Sequence, residues 1–310
     1  MASDPGNCLR QSLKLTAPRV SVVIPTYNHA AFIGTALSTV LAQSFADWEA
    51  LVINNHSTDD TVSILDGFRD ARIRRIDFAN QGVIGASRNV GIREARGEFV
   101  AFLDSDDQWL PDKLMRTLAR MEQGADLVCH AEQWTGAGIE RAVRYGPIAR
   151  ASYDQLLFVG NCLSTSATTV RTAALRASGG FREGAAFVTA EDYDLWLRLA
   201  RDGARFDFID EVLGKYVLHA GNQIRAIRRN TEAVTAVVED HFASLIPSQR
   251  DLRRMRRRRG GVLYGGARGL QDSHQRAEAF ALYRASWARW PWSWKLYAGM
   301  LTNAFGVALR

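Results

Sequence analysis

Gly97-Glu98-Phe99-Val100-Ala101-Phe102-Leu103-Asp104-Ser105-Asp106-Asp107 is the stretch from which the fold of this chain can be read. Five consecutive apolar residues, preceded by Gly97-Glu98 and followed by the acidic run, read as a strand buried on both faces. Such strands belong to parallel sheets covered by helices. The acidic run then falls at the strand's carboxyl end, the edge where open α/β sheets bind ligands. An isolated D-x-D is more often a solvated turn or a helix cap, here before Trp109-Leu110-Pro111. The buried strand in front of it favours a site.

Upstream, the same pattern repeats. Val20-Ser21-Val22-Val23-Ile24 is a β-branched run stopped by Pro25 and followed by the loop Thr26-Tyr27-Asn28-His29. Ala31 to Gln43 has helical composition. Trp48 to Ile53 is a second strand, ending in Asn54-Asn55-His56-Ser57, and Thr58-Asp59-Asp60 opens another helix. Ile73 to Phe78 is a weaker strand, and Gly85 to Ala95 is a helix. Strand and helix alternate, so the sheet should be largely parallel with helices on both faces. Three loops then converge on one edge: Pro25-Thr26-Tyr27, Asn54-Asn55 and Asp104-Ser105-Asp106. Downstream, Leu127 to His130 reads as a strand, Gly180-Phe181-Arg182 as a turn, Glu191 to Arg201 as a helix, and Val212 to Leu218 as a strand ending at His219. Past Gly221 the chain becomes helical and basic. The expected division is a flexible segment at 1–17, an α/β domain at 18–222 and a basic helical region at 223–310.

Of the 310 residues, 47% are hydrophobic and 23% charged, the mixture of an ordinary globular chain. Cys8, Cys129 and Cys162 show neither a disulfide framework nor zinc spacing, which fits a reducing compartment. The start lacks the features of a signal peptide, and no stretch has the roughly 18 apolar residues of a spanning helix. A cytoplasmic location is expected. The net charge of +6 is uneven: residues 224–310 carry 16 Lys and Arg against 6 Asp and Glu, and the rest carries 23 against 27. The body has no basic, aromatic-interleaved stripe, which argues against a nucleic-acid partner.

Asp104, Asp106 and Asp107 offer the oxygen ligands that a hard divalent cation, Mg²⁺ or Mn²⁺, takes together with phosphate. Asn54 and Asn55 could meet a nucleobase through their amides, and are equally suited to a tight turn. Arg88 could reach a phosphate or a donor sugar, although an exposed helical arginine is the commoner case. In Glu191 to Arg201, Asp192, Leu195, Trp196 and Leu199 share one helical face, while Glu191, Asp194, Arg198 and Arg201 lie on the more polar side. A carboxylate that continues the apolar stripe is partly desolvated and more basic, which suits deprotonation of a hydroxyl. Helix-dipole capping explains the same acids equally well. His219 could ligate a metal or serve structure only; the other five histidines show no metal spacing.

Taken together, these motifs resemble the family 2 inverting glycosyltransferases of the GT-A fold. The likeness runs through Val20 to Asn28, Asn54 to Asp59, Ala86 to Gly91, Gly97 to Asp107, Gly179 to Arg182, Glu191 to Arg198 and Tyr216 to His219, covering roughly residues 18–222. It implies that Pro25, Tyr27, Asn54 and Asn55 surround the nucleotide base, and that Arg88 and Asp104 frame the donor. It further implies that Asp106 and His219 ligate the metal, with Asp107 and Glu191 in support, and that Asp192 is the catalytic base. Many members carry two aspartates where this chain has Asn54-Asn55; UDP-sugar remains the favoured donor. A glycan or lipid-linked hydroxyl, as in cell-surface polysaccharide synthesis, is the implied acceptor.

The tail combines Arg253 to Arg259 with Trp287, Trp290, Trp292 and Trp294 and the apolar segment Leu296 to Leu309. It suits a helix lying on an anionic membrane surface, which would make the protein peripheral on the cytoplasmic face, and equally a subdomain packed on the catalytic domain. Three rivals stand beside the transferase: a nucleotidyltransferase, a nicotinamide dehydrogenase and a non-catalytic sugar-nucleotide or membrane-binding module. The first wants a glycine-rich basic loop after the first strand and the second a G-x-G-x-x-G there; neither is present.

Overall fold

The computed structural model describes residues 17–136, 138–218 and 223–306, with the side chains of the helix that opens at Gln223 described from residue 227 onward. His219, Cys8 and all but the last residue of the expected flexible segment lie outside the described residues. The first hundred residues alternate β1 (Val20–Thr26), α1 (Ala30–Leu41), β2 (Trp48–Asn54), α2 (Thr61–Gly67), β3 (Ile73–Asp77), α3 (Ile84–Glu94) and β4 (Phe99–Phe102). There follow β5 (Gln108–Trp109), α4 (Lys113–Glu122), β6 (Leu127–Gly136), β7 (Ile139–Val143), α5 (Tyr153–Phe158), β8 (Thr168–Arg171), α6 (Thr172–Ala177), α7 (Glu191–Arg201) and β9 (Phe206–Val217). The chain closes on α8 (Gln223–Ala243), α9 (Gln249–Asp272), α10 (Arg276–Arg289) and α11 (Trp294–Phe305).

The strands form one sheet in the order β3-β2-β1-β4-β8-β6-β9-β5, with β7 added to β6. From β3 to β4 every pairing is parallel, as expected. Beyond β4 that expectation is corrected: β8 runs antiparallel to both β4 and β6, and β5 antiparallel to β9. The strand that reverses the sheet, β8, is Thr168-Thr169-Val170-Arg171, whose two buried threonines give no apolar run to read. Pro25 does not stop β1. It pairs opposite Ile53 of β2, while β4 ends opposite Val23, so the missing N–H falls beyond the reach of β4.

The continuous apolar runs reflect two cores. Val23, Leu51, Ile53, Val100 and Phe102 face one, and Val22, Ile24, Ala50, Val52 and Ala101 face the other, following the two-residue alternation of a strand. Helix α3 lies close against β1: a Cβ on Gly91 would stand 2.3 Å from Val23 Cγ1. The first core also takes in Ala233, Val237, Val238 and Phe242 of α8 and Met255 of α9. It therefore continues across residue 222. The tail is packed, and it still leaves Trp287, Trp292, Trp294, Tyr297, Leu301 and Phe305 exposed.

Candidate active site

The carboxyl ends of β1, β2 and β4 bring their loops to one edge, as the alternation requires. Tyr27 is 52% exposed there. Asn54 is buried and its amide is engaged within the protein: Nδ2 donates to Asp77 Oδ1 at 2.7 Å, and Oδ1 accepts from the amide and hydroxyl of Ser57. Asn55 is less enclosed, with Oδ1 accepting from the Asn80 amide at 2.9 Å. Of the two, Asn55 keeps the freer amide for a ligand.

Arg88 is buried, not exposed, and its guanidinium joins two elements far apart in sequence. Nη1 donates to Glu191 Oε1 at 2.6 Å and Nη2 donates to Asp104 Oδ1 at 2.7 Å. Burial works against its charge, and the carboxylates of Asp104 and Glu191 outweigh it, so its pKa lies above the usual arginine value. Its neighbour Asn89 clamps the Gly180-Phe181-Arg182 turn, donating to Phe181 O and accepting from Phe181 N, both at 2.8 Å. Gly180 has φ +71°, and a Cβ there would sit 2.4 Å from Asn89 Oδ1, so glycine is required. Arg88 and Asn89 thus tie α3 to the start of α7 and to the turn before it.

Within the acidic run, successive side chains diverge. Ser105 is buried, its Oγ 2.7 Å from His29 Nδ1. Asp104 takes the Arg88 contact, and its amide donates to Ser166 Oγ at 3.0 Å. Asp107 is buried; Oδ1 accepts from the Val217 amide at 3.0 Å, and Oδ2 has no hydrogen-bond partner. Burial raises its pKa well above the carboxylate range, and the charges of Asp104, Asp106 and Glu132 add to that. An orphaned buried carboxylate oxygen beside two more carboxylates fits a divalent cation. Through the Val217 amide, Asp107 also anchors the end of β9.

The tightest grouping of acids and histidine among the described residues is elsewhere, at Asp194, Asp240 and His241. It does not fit a cation: Arg198 and Arg182 already neutralise Asp194, and Arg182 pairs with Asp240. This network corrects the reading of α7 as having a polar outer side. Glu191, Asp194 and Arg198 are buried together with the apolar stripe: Arg88 of α3 meets Glu191, and His241 of α8 meets Asp194. Arg198 also donates to Ser178 O and Gly180 O, both at 2.6 Å.

The Glu-Asp pair at the head of α7 is divided in role. Glu191 has both oxygens engaged, by Arg88 and by the Thr189 amide at 2.7 Å. Thr189 has φ +86°, a strained value for a β-branched residue, and Asn230 of α8 holds its carbonyl at 2.8 Å. Asp192 is partly accessible and meets Thr165 Oγ1 at 3.0 Å and its neighbour's amide at 2.6 Å. Burial, followed by the like charge of Glu191, raises its pKa to about 6, against the opposing pull of Arg88.

Residues not singled out as site candidates from the sequence complete the edge. Glu132, buried on β6, accepts from Tyr145 Oη at 2.6 Å, and burial raises its pKa to about 7. Trp134 lies against Tyr216 with ring centroids 5.1 Å apart. A carboxylate following the apolar run Leu127 to Cys129 was the available signal for Glu132. The Trp134–Tyr216 pair depends on the β6–β9 register, which no local pattern reveals.

Comparison with known proteins agrees with this architecture. The glycosyl transferase family 2 model matches residues 21–161, and the glycosyl transferase family group 2 model matches residues 99–309, more than half of the chain. WfgD of Escherichia coli, a UDP-Glc:α-D-GlcNAc-diphosphoundecaprenol β-1,3-glucosyltransferase, is 30% identical over 73% of this chain and 89% of its own length. The putative teichuronic acid biosynthesis glycosyltransferase TuaG of Bacillus subtilis is 39% identical over 34% of this chain and 42% of its own. Among solved structures, S. aureus TarS in complex with UDP-GlcNAc superposes with a TM-score of 0.59 at 18% identity, covering 94% of this chain and 93% of that one. The mannosyltransferase PcManGT of Pyrobaculum calidifontis, in complex with GDP-Man and Mn²⁺, gives 0.62 at 17% identity, covering 95% and 86%. The fold is GT-A, and the chain is an enzyme belonging to glycosyltransferase family 2.

Proposed function

We propose that this enzyme moves one sugar, with inversion, from a UDP-sugar to a hydroxyl of a lipid-linked or glycan acceptor. The observation that carries this reading is the Arg88 bridge between Asp104 and Glu191. It draws the acidic edge of β4 and the head of α7 into one site. Asp192, next to Glu191, is the carboxylate left partly accessible, and it takes the proton of the attacking hydroxyl. Thr165 holds its Oδ2 and so orients the carboxylate. Arg88 acts as a positioning residue, its two charged ends already taken by Asp104 and Glu191.

Asp106 and Asp107, with Asp104 nearby and His219 beyond the described residues, would hold Mg²⁺ or Mn²⁺. The carboxylates of this run are not gathered into a closed cage. Mg²⁺ commonly takes one or two carboxylates and completes its shell with substrate phosphate, which suits such an arrangement. When bound, the ion would neutralise the charge that builds on the departing diphosphate. Tyr27, Pro25 and the Asn54-Asn55 loop would border the nucleoside, with Asn55 the better placed amide. The Trp134–Tyr216 pair offers an aromatic face for the acceptor sugar. The donor assignment draws support from the UDP-Glc named for WfgD. Formation of a β linkage from that α-linked donor is an inversion.

In a coupled assay of UDP release with UDP-glucose and a lipid-diphosphate-linked GlcNAc acceptor, Asp192→Asn is expected to lower turnover by about 10²–10⁴-fold. UDP binding, measured by calorimetry, should be retained. EDTA should abolish transfer, and added Mg²⁺ or Mn²⁺ should restore it. Full turnover by Asp192→Asn would remove it from the chemistry, and full turnover in EDTA would remove the metal.

A further inference from the structure

Away from the sheet edge, a cavity of about 590 Å³ opens between the end of α5, the first half of α9 and the turn joining α10 to α11. Arg257, Arg258, Lys295, Trp290, Trp292 and Trp294 line it, and no acidic residue does. The basic residues of this region are not equivalent. Arg259 is paired with Glu239, and Arg254 with Asp154 and Asp251. Arg258 meets only neutral acceptors, Tyr193 Oη at 3.2 Å and Val159 O at 3.4 Å, and its buried Nε has no partner. Arg257 and Lys295 are exposed and make no ion pair among the described residues. Three cations therefore face one concavity without a counter-charge, and a bound anion relieves their repulsion. The guanidinium fork suits phosphate oxygens in particular.

The rim argues for what the phosphate carries. Trp292 is 82% and Trp294 74% exposed, and Tyr297, Leu301 and Phe305 continue the apolar surface along α11. A free phosphate gains nothing from such a rim, whereas a phosphate bearing an apolar chain buries it. We propose that this cavity holds the diphosphate of a lipid whose chain lies along Trp292, Trp294 and α11. The inference rests on the lipid-linked acceptor proposed above and adds the place where that lipid is held. Because Arg258 is bonded to Tyr193, the residue after Asp192, the lipid phosphate and the base are tied to one helix.

The test is calorimetric titration of the full chain, with UDP and Mg²⁺ present to fill the sheet edge. The probes are farnesyl diphosphate and inorganic pyrophosphate. Farnesyl diphosphate should bind at least tenfold more tightly than pyrophosphate. Arg257→Gln with Lys295→Gln should weaken both probes tenfold or more. Trp292→Ala with Trp294→Ala should weaken farnesyl diphosphate alone. Circular dichroism checks that these exposed substitutions leave the fold intact, and Arg257→Lys, which keeps the charge, should keep binding. Equal affinity for the two probes would assign the cavity to free phosphate and overturn the lipid. Unchanged affinity in both double variants would overturn the site. Neither measurement involves sugar transfer, so failure here is distinguishable from failure of the Asp192 assay.

Discussion

At the scale of single residues, Glu191 and Asp192 are adjacent acids in different surroundings, and the proposed division of labour follows from them. Glu191 is paired with Arg88 and held by the Thr189 amide, whereas Asp192 feels burial and the charge of Glu191, which together lift its pKa to about 6. A base works deprotonated, so kcat should rise as pH increases through about 6 and level off above it. Glu191→Gln removes the like charge and releases Arg88 to face Asp192, and both changes favour the carboxylate. The midpoint of the profile should therefore move to lower pH, read from kcat between pH 5 and 8; an unmoved midpoint would show that another group titrates. The sequence singled out Asp192 because it extends the stripe of Leu195, Trp196 and Leu199, and in the fold it is the less enclosed acid of the pair. The burial of Arg88 was not legible in the sequence, since the Asp104 and Glu191 carboxylates that compensate it lie 16 and 103 residues away. Nor was the closure of Asn54 around Ser57 and Asp77, which leaves its neighbour Asn55 to reach outward.

At the scale of elements, α3 is the part that connects both halves of the site. Its residues Gly85 to Ile92 are buried, yet their composition is polar and glycine-rich, so periodicity alone describes it poorly. Gly91 explains how such a helix sits so deep: without a side chain it lets the backbone approach Val23 of β1. Gly91→Ala places a methyl 2.3 Å from Val23 Cγ1, and β1 cannot retreat because Val22 and Ile24 on its other face are packed in the second core. Urea unfolding should show a loss of about 1–3 kcal/mol, the usual cost of overpacking. Pairing it with Val23→Ala should recover part of that loss, because the clash is with the valine's own methyls. An additive pair of losses would mean that the helix shifts as a whole. The parallel half of the sheet was readable because each of β1, β2 and β4 is an apolar run between turn residues. The reversal at β8 was hidden, as its buried Thr168 and Thr169 look like loop sequence until Lys113 Nζ is seen donating to Thr169 Oγ1 at 2.8 Å.

At the scale of the whole molecule, the change in composition near residue 222 marks a change of surface and not the end of a core. The tail's charge lies on its outside, in the exposed Arg253, Arg256 and Arg257, while Val237, Val238 and Phe242 pass inward to pack with the α5 and α7 side chains Leu156, Tyr193 and Trp196. His241 adds a polar link to Asp194, and Asn230 holds the strained Thr189 that precedes Glu191. Burying a side chain such as Val or Phe contributes about 1.5–3 kcal/mol, so losing these three contacts alone costs a large part of a domain's net stability of about 5–15 kcal/mol. Removing α8 would also leave Asp194, Arg198 and Arg182 open to water and free Thr189 to relax. A chain ending at residue 222 is therefore expected to lose its cooperative thermal transition, or to melt far below the full chain, and to bind UDP poorly because the head of α7 is no longer held. Differential scanning calorimetry of the two chains, with UDP titration of each, decides the matter. A truncated chain that melts at the full chain's temperature would show two independent units, and α8 would then have no part in holding Glu191 and Asp192 in place.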